Sequence, residues 1–126
     1  MLIGIDICST RNLARSLERS PFLREEVFSA REIAYCDAQR YPAQHYSARW
    51  AAKEACLKAF RLPVLGCDLN RMEVVAATDG RPALIVHDPV LRRAMQAILR
   101  DFAVQISISH EDDCSVAVAL VVGAKD

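Results

Sequence analysis

The sequence lacks the marks of a secreted, membrane-spanning or nucleic-acid-coating protein. Its 16 basic and 16 acidic side chains leave a formal net charge of zero. That excludes a blanket nucleic-acid binder and requires any basic site to be local. No apolar run approaches the ~20 residues of a membrane span. The opening Met1-Leu2-Ile3-Gly4-Ile5-Asp6 meets an acid too early for a signal peptide. The cysteines, Cys8, Cys36, Cys56, Cys67 and Cys114, are odd in number, widely spaced and without a C-x-x-C pair. Neither a disulfide framework nor a zinc site is expected, and they read as small buried hydrophobes in a reducing cytoplasm. Neither G-x-x-x-x-G-K-[ST] nor G-x-G-x-x-G occurs, which removes the P-loop and the Rossmann site. There is no internal repeat, low-complexity tract or linker. The remainder is an ordinary globular composition, 52% hydrophobic and 25% charged in 126 residues. It reads as one domain over residues 1–126, with a core small enough that oligomerisation would help.

The stretch from Ser47 to Phe60 contains no Gly or Pro and is rich in strong helix formers, so a helix is predicted. Pro42 precedes it where a helix tolerates proline, and Pro63 follows its end. At about 100° per residue, Ala48, Ala51, Ala52, Ala55 and Ala59 gather on one side, a face that allows close approach to a sheet. Trp50, Glu54, Leu57 and Arg61 lie opposite, flanked by Lys53 and Lys58. Two readings of Glu54 stay open: a partly enclosed carboxylate, which needs a partner or a metal, or a solvated i,i+4 pair with Lys58.

Leu2 to Ile7 alternates as a strand, with Ile3, Ile5 and Ile7 on one face and Leu2, Gly4 and Asp6 on the other. Asp is depleted in strands, and Gly4 opens space on the face Asp6 occupies. Asp6 is either a site residue or a strand-end cap for the next helix. Ser9 or Thr10 caps a helix to about Arg19. Its apolar stripe is Leu13, Ala14 and Leu17. Arg11, Arg15 and Arg19 form a basic face that Arg24 extends, either merely solvated or docking an acidic partner. Ser29-Ala30-Arg31-Glu32 is a capping box for a helix from Ala30 to about Arg40. Strands are expected from Met72 to Ala77 and Pro82 to His87 about an Asp79-Gly80 turn. Asp88-Pro89 starts a helix ending near Phe102, with Leu91, Ala94, Met95, Ile98 and Leu99 buried. Strands Val104 to Ser109 and Ser115 to Val122 flank the polar turn His110-Glu111-Asp112-Asp113, the last strand belonging at the sheet centre or a subunit interface. The order implies an α+β fold, a mainly antiparallel sheet packed against helices.

Asp6 and Glu54 together are suited to one Mg²⁺, which keeps waters and takes phosphate oxygens. Arg49, Lys53, Lys58 and His110 suit a multiply phosphorylated ligand. Spacing alone leaves many phosphoryl chemistries open.

Three blocks narrow the choice: Ile3-Gly4-Ile5-Asp6-Ile7, then Ala48-Arg49-Trp50-Ala51-Ala52-Lys53-Glu54-Ala55 with Lys58-Ala59, then Ile106-Ser107-Ile108-Ser109-His110. In order and separation they resemble the short members of the holo-[acyl-carrier-protein] synthase family, which are 4′-phosphopantetheinyl transferases. Asp79-Gly80-Arg81-Pro82 resembles the family's Gly-Lys-Pro turn. The resemblance implies transfer of the phosphopantetheine arm from coenzyme A to a serine of an apo acyl carrier protein, releasing 3′,5′-ADP. It puts Asp6 and Glu54 on metal-binding positions for Mg²⁺ and Lys58 near the pyrophosphate. It puts Arg49 and His110 on nucleotide-phosphate positions, with Lys53 a further candidate. Glu54 or a water held by the ion would be the base. Arg11, Arg15 and Arg19 would face the carrier protein. It implies a cytoplasmic homotrimer with active sites between subunits, Asp6 and Glu54 of one beside His110 of another. The sequence departs from the family at Ala48 (often Gly), Trp50 (Phe) and Phe60 to Gly66 (a Gly-rich turn), but keeps every charged position of the motif, so activity is expected. The alternatives are another Mg²⁺-dependent phosphoryl or nucleotidyl enzyme and a non-catalytic oligomeric module that binds carrier protein.

Overall fold

The computed structural model describes residues 1–123. The chain runs β1 (Leu2–Ser9), α1 (Thr10–Arg19), α2 (Leu23–Val27), α3 (Ala30–Asp37), α4 (Pro42–Ala59), a 3-10 turn (Leu69–Arg71), β2 (Met72–Ala76), β3 (Pro82–Val86), α5 (Pro89–Ile98), β4 (Phe102–Glu111) and β5 (Cys114–Gly123). The strands form one sheet in the order β1-β5-β4-β3-β2, and every neighbouring pair is antiparallel. This is the expected α+β architecture, with the apolar β5 between β1 and β4. Among the described residues no helix is long and apolar enough to cross a membrane.

Alternation sorts the sheet into two faces. On the inner face Gly4 pairs with Ala119 and Asp6 with Ala117. Ser115, Ala117, Ala119 and Val121 of β5 are all buried there. These small side chains meet the alanine face of α4, where Ala51, Ala52 and Ala55 are fully buried. The approach is closest at Gly4. A Cβ built there would lie 2.0 Å from the Ala55 carbonyl oxygen and 2.7 Å from the Ala59 nitrogen. Both are backbone atoms of α4, so nothing flexible can yield.

The element ends carry the expected chemistry. The Ser9 hydroxyl accepts from the Asn12 amide at 3.2 Å, and Asp88 Oδ1 accepts from the Val90 amide at 3.0 Å. Ser29 and Glu32 form the reciprocal capping box. Asp6 is not a helix cap. Asp113 fills that role, accepting from the Ser9 hydroxyl at 2.6 Å and the Arg11 amide at 2.8 Å.

Several boundaries differ from the sequence expectation. Helix α4 starts at Pro42 itself, which loses nothing at a first-turn position where amides have no intrahelical partner. It ends in a Schellman turn: the Arg61 amide donates to Lys58 O at 3.0 Å and the Leu62 amide to Leu57 O at 2.9 Å. Arg61 takes φ 57° there, the left-handed conformation usually left to glycine. Helix α3 stops at Asp37 rather than Arg40, and the five-residue α2 carries too little periodicity to be foreseen. Helix α5 stops at Ile98 because Phe102 opens β4. Only Leu91 and Met95 of its stripe are buried, while Ala94 and Ile98 face out.

Gly4→Ala forces β1 and α4 apart. The overpacking is expected to cost at least ~1–3 kcal/mol, read as a fall of several degrees in Tm by thermal melting. An unchanged Tm would mean that the two backbones are not held at this distance.

Candidate active site

The close contact at Gly4 fixes what lies beside it. Asp6 is two residues along β1, on the same inner face. Glu54 and Lys58 precede the contact residues Ala55 and Ala59 on α4. The Lys58 amine donates to Asp6 Oδ1 at 2.7 Å and to the Ile5 carbonyl at 3.3 Å. Thus Lys58 makes its ion pair across to the strand. Glu54 acts on it only through charge, and the solvated Glu54–Lys58 reading gives way to the enclosed one. The Asp6 bond raises the Lys58 amine above its ordinary range. Asp6 is 8% exposed, and its Oδ2 is buried without a partner.

Glu54 completes the pair. Burial pushes its carboxyl up to about 7, reinforced by a hydrogen bond to Asp6 and by the Asp6 charge. A bond from the Trp50 indole, with the charge of Lys58, works the other way. Two carboxyl groups in hydrogen-bond contact, one oxygen unpartnered and one proton held too tightly, form a site short of positive charge.

The other flank of α4 has the opposite character. His45 and Arg49 project about 180° and 140° away from Glu54 at ~100° per residue. They line a cleft of about 590 Å³ with Arg31, Tyr35, Gly80 and His110. The Arg49 guanidinium stacks 4.4 Å over the Tyr35 ring and donates to the His45 carbonyl at 3.3 Å, while its Nε is buried without a partner. Burial, then Arg49 and His110, lower the His45 imidazole below its ordinary range. The cleft suits an anion with an aromatic or planar body. The sequence reading missed His45, Tyr35 and Arg31. The signal for His45 was its i,i+4 relation to Arg49.

Asp6, Glu54 and Lys58 do not line this cleft. Within one chain, α4 stands between the carboxylates and the Arg49 and His110 side chains. Lys53 belongs to neither group, and its assignment as a phosphate contact is corrected. It is fully buried, with its amine on Glu32 Oε1 at 2.6 Å, Val27 O at 2.6 Å and Leu69 O at 2.9 Å. Those three bonds use every donor that an ammonium has.

On α1, Arg11, Arg15 and Arg19 are all exposed. Asp113 holds the start of this helix, and the Ser9 hydroxyl, then the Arg11 amide, keep its carboxyl below the usual range. Arg24 does not extend the basic face. It is half-buried on α2, with its guanidinium 5.6 Å from the centre of the Tyr46 ring.

Among the described residues no cluster of three or more His, Cys, Asp or Glu could hold a metal. A two-carboxylate site fits Mg²⁺ rather than Zn²⁺, since Mg²⁺ takes one or two carboxylates and completes its shell with water and substrate phosphates.

The sequence model of the 4′-phosphopantetheinyl transferase superfamily matches residues 2–117. The chain is 36% identical over 118 residues to the holo-[acyl-carrier-protein] synthase of Moorella thermoacetica, covering 94% of this chain and 91% of that one. It is 40% identical over 122 residues to the holo-[acyl-carrier-protein] synthase of Geobacter sulfurreducens, covering 94% and 93%. Its fold is similar to a solved ACPS–CoA complex of Chronobacterium ammoniagenes, with TM-score 0.83, 29% identity and 95% of each chain covered. With the fold, the motif and these relatives in agreement, the chain belongs to the holo-[acyl-carrier-protein] synthase family of the 4′-phosphopantetheinyl transferase superfamily.

Proposed function

We propose that this protein transfers the 4′-phosphopantetheine group of coenzyme A to a serine of an apo acyl carrier protein, releasing 3′,5′-ADP, with Mg²⁺ at Asp6 and Glu54. The observation that carries it is the buried Asp6–Glu54 pair beside Lys58, on the motif that defines the family. Mg²⁺ fits here by the unpartnered Asp6 Oδ2 and the raised Glu54 carboxyl, since a divalent ion satisfies the first and ionises the second. When bound, it supplies positive charge to pyrophosphate oxygens as charge moves to the leaving group. Lys58, half-exposed and paired to Asp6, reaches from the same site toward the pyrophosphate. As the serine oxygen bonds to the β-phosphorus and the bond to the 3′,5′-ADP oxygen breaks, the ionised Glu54 takes the serine proton.

The reading extends to assembly. Arg49 and His110 lie behind α4 from the carboxylates of their own chain, so a complete site needs a second copy to bring its cleft to the Asp6–Glu54 flank. The outer face of the sheet supplies an interface. Ile3, Ile5 and Ile7 are 69%, 59% and 62% exposed, and they pair with Leu120, Val118 and Val116 of β5. An uncovered apolar patch of this kind marks an interaction surface. A homotrimer with sites between neighbours satisfies both demands. Arg11, Arg15 and Arg19 then present a basic face beside the site for an acidic carrier-protein helix.

The primary test is the intact mass of an apo acyl carrier protein after incubation with this protein, coenzyme A and Mg²⁺. One added phosphopantetheine is expected, and none in EDTA. No addition to several carriers from folded protein would favour a binding module.

Glu54→Gln separates function from stability. The folded value of about 7 lies above the ordinary 4.5. The folded chain therefore binds the extra proton between them, and stability falls as pH rises through that window. In EDTA the variant should melt with the parent at pH 5 and above it at pH 8. Transfer should drop by more than the roughly 10–100-fold that loss of an outer-shell metal partner costs. Equal Tm values at both pH values would remove the strained-pair account.

Shared sites predict complementation. Glu54→Gln and His110→Ala, each impaired alone, should recover part of the parent's activity when co-expressed and purified as mixed oligomers, because some interfaces then hold both intact halves. No recovery from verified mixed oligomers would place the whole site in one chain.

A further inference from the structure

A chain of hydroxyl groups runs beneath His110, and none of the chemistry above uses it. The Thr10 hydroxyl lies 3.0 Å from Ser47 Oγ, Ser47 Oγ 2.7 Å from Ser115 Oγ, and Ser115 Oγ 2.9 Å from His110 Nδ1. The path joins α1, α4, β5 and β4. Ser47 and Ser115 are both fully buried, and no oxygen of the chain is left without a partner.

Counting protons orders the chain. A hydroxyl has one proton to donate and two lone pairs to accept with. Ser47 Oγ has three oxygen neighbours, and one of them, the Gln44 carbonyl at 3.0 Å, can only accept. The Ser47 proton goes there. Its two lone pairs then receive Thr10 and Ser115, which fills Ser47 completely. With its proton on Ser47, Ser115 can only accept from the imidazole. His110 must therefore carry a proton on Nδ1.

We infer that Thr10, Ser47 and Ser115 form a relay that holds the His110 ring with Nδ1 protonated and leaves Nε2, on the far side of the ring, as the atom offered to the cleft. The inference rests on the proposed phosphate-binding role of His110 for its purpose. Among the described residues the His45 ring, 6.4 Å away centre to centre, packs against this exposed ring without fixing which nitrogen carries the proton. With Nδ1 occupied inside the fold, Nε2 is the free ring nitrogen, and in the imidazolium form it would meet an anionic phosphate as a donor beside Arg49, two residues beyond Ser47 on α4. Ser115 and Ser47 are positioning residues, acting through the imidazole.

The test reads the ring directly. In ¹⁵N-edited NMR of the parent, at a pH where His110 is neutral, the Nδ1–H tautomer is expected. Ser47→Ala leaves the Ser115–His110 contact but frees the Ser115 proton to turn toward the ring, so the tautomer should shift to Nε2–H. Ser115→Ala removes the contact, and a mixture of tautomers is expected. Affinity for 3′,5′-ADP, measured by calorimetry, should fall roughly threefold to tenfold in Ser115→Ala, the scale of one net hydrogen bond. A parent ring in the Nε2–H form would overturn the relay. Unchanged 3′,5′-ADP affinity in variants whose tautomer has shifted would overturn the positioning role. Neither readout needs turnover, so a failure of the transferase reading appears separately, as a parent that binds 3′,5′-ADP and transfers nothing.

Discussion

Everything in this site depends on a backbone contact in which no side chain takes part. At Gly4, β1 and α4 approach until a Cβ would lie 2.0 Å from the Ala55 carbonyl oxygen. Such proximity needs glycine on the strand, alanines on the helix and small residues on the neighbouring strand, and the chain provides all three. Its consequence is electrostatic. Asp6 and Glu54 are on elements far apart in sequence, and with the strand and helix held further apart their short side chains would meet less closely. The closer packing brings the two carboxyl groups into contact, and burial raises Glu54 toward 7. The packing of small residues therefore creates the charge deficit that a cation would relieve.

The rotation of α4 about its axis is the second constraint, and Lys53 fixes it. Its amine ties α4 to Glu32 on α3 and to the carbonyls of Val27 and Leu69. Glu32 in turn accepts from the Ser29 amide at 2.9 Å and the Val74 amide at 3.1 Å. Breaking such a buried pair costs ~3–5 kcal/mol, though the intact pair adds little net stability. Its value is geometric. With Lys53 locked inward, Glu54 and Lys58 must turn to β1 and Arg49 and His45 to β4. One buried ion pair thus sorts a single helix into an acidic flank and a basic one.

The parts of this arrangement that are periodic were legible. Alternation in β1, the alanine face of α4, the Asp79-Gly80 turn and the Asp88-Pro89 helix start each express a local rule, and the structure follows them. Asp6 stood out because an aspartate beside glycine in a strand breaks one. What failed was any inference that needed to know what a side chain meets. Lys53 and Lys58 are both lysines on one helix. Only the tertiary fold decides that the first enters the core while the second reaches Asp6. Arg24 continued a basic series by sequence spacing, yet it belongs to a separate short helix and turns to Tyr46. The hydroxyls of Ser47 and Ser115 carry no pattern at all, being 68 residues apart. Helix ends shifted where a neighbour claimed the residues, as Phe102 does for β4.

Several departures from local rules meet at the acidic flank. An aspartate in a strand, an unpartnered carboxylate oxygen and a glutamate raised by burial and its neighbour lie along β1 and the second half of α4, with an arginine in a left-handed turn just past the helix end; the unpartnered Arg49 Nε and the left-handed Asp112 lie elsewhere. A left-handed conformation at Arg61 alone costs ~1–2 kcal/mol. Sequences that specify a fold well violate such rules mainly where function demands it. The rest of the chain shows what compensates. The capping box at Ser29, the Ser9 and Asp88 caps and the nearly all-apolar β5 are local choices that agree with the fold. On the acidic flank a cation and a phosphorylated ligand would satisfy the carboxyl pair, and that flank lacks the Arg49 side chain its own chain carries on the other side of α4. In the proposed assembly an isolated copy is least satisfied where a neighbour's cleft would dock, which would link assembly to catalysis by one electrostatic cause.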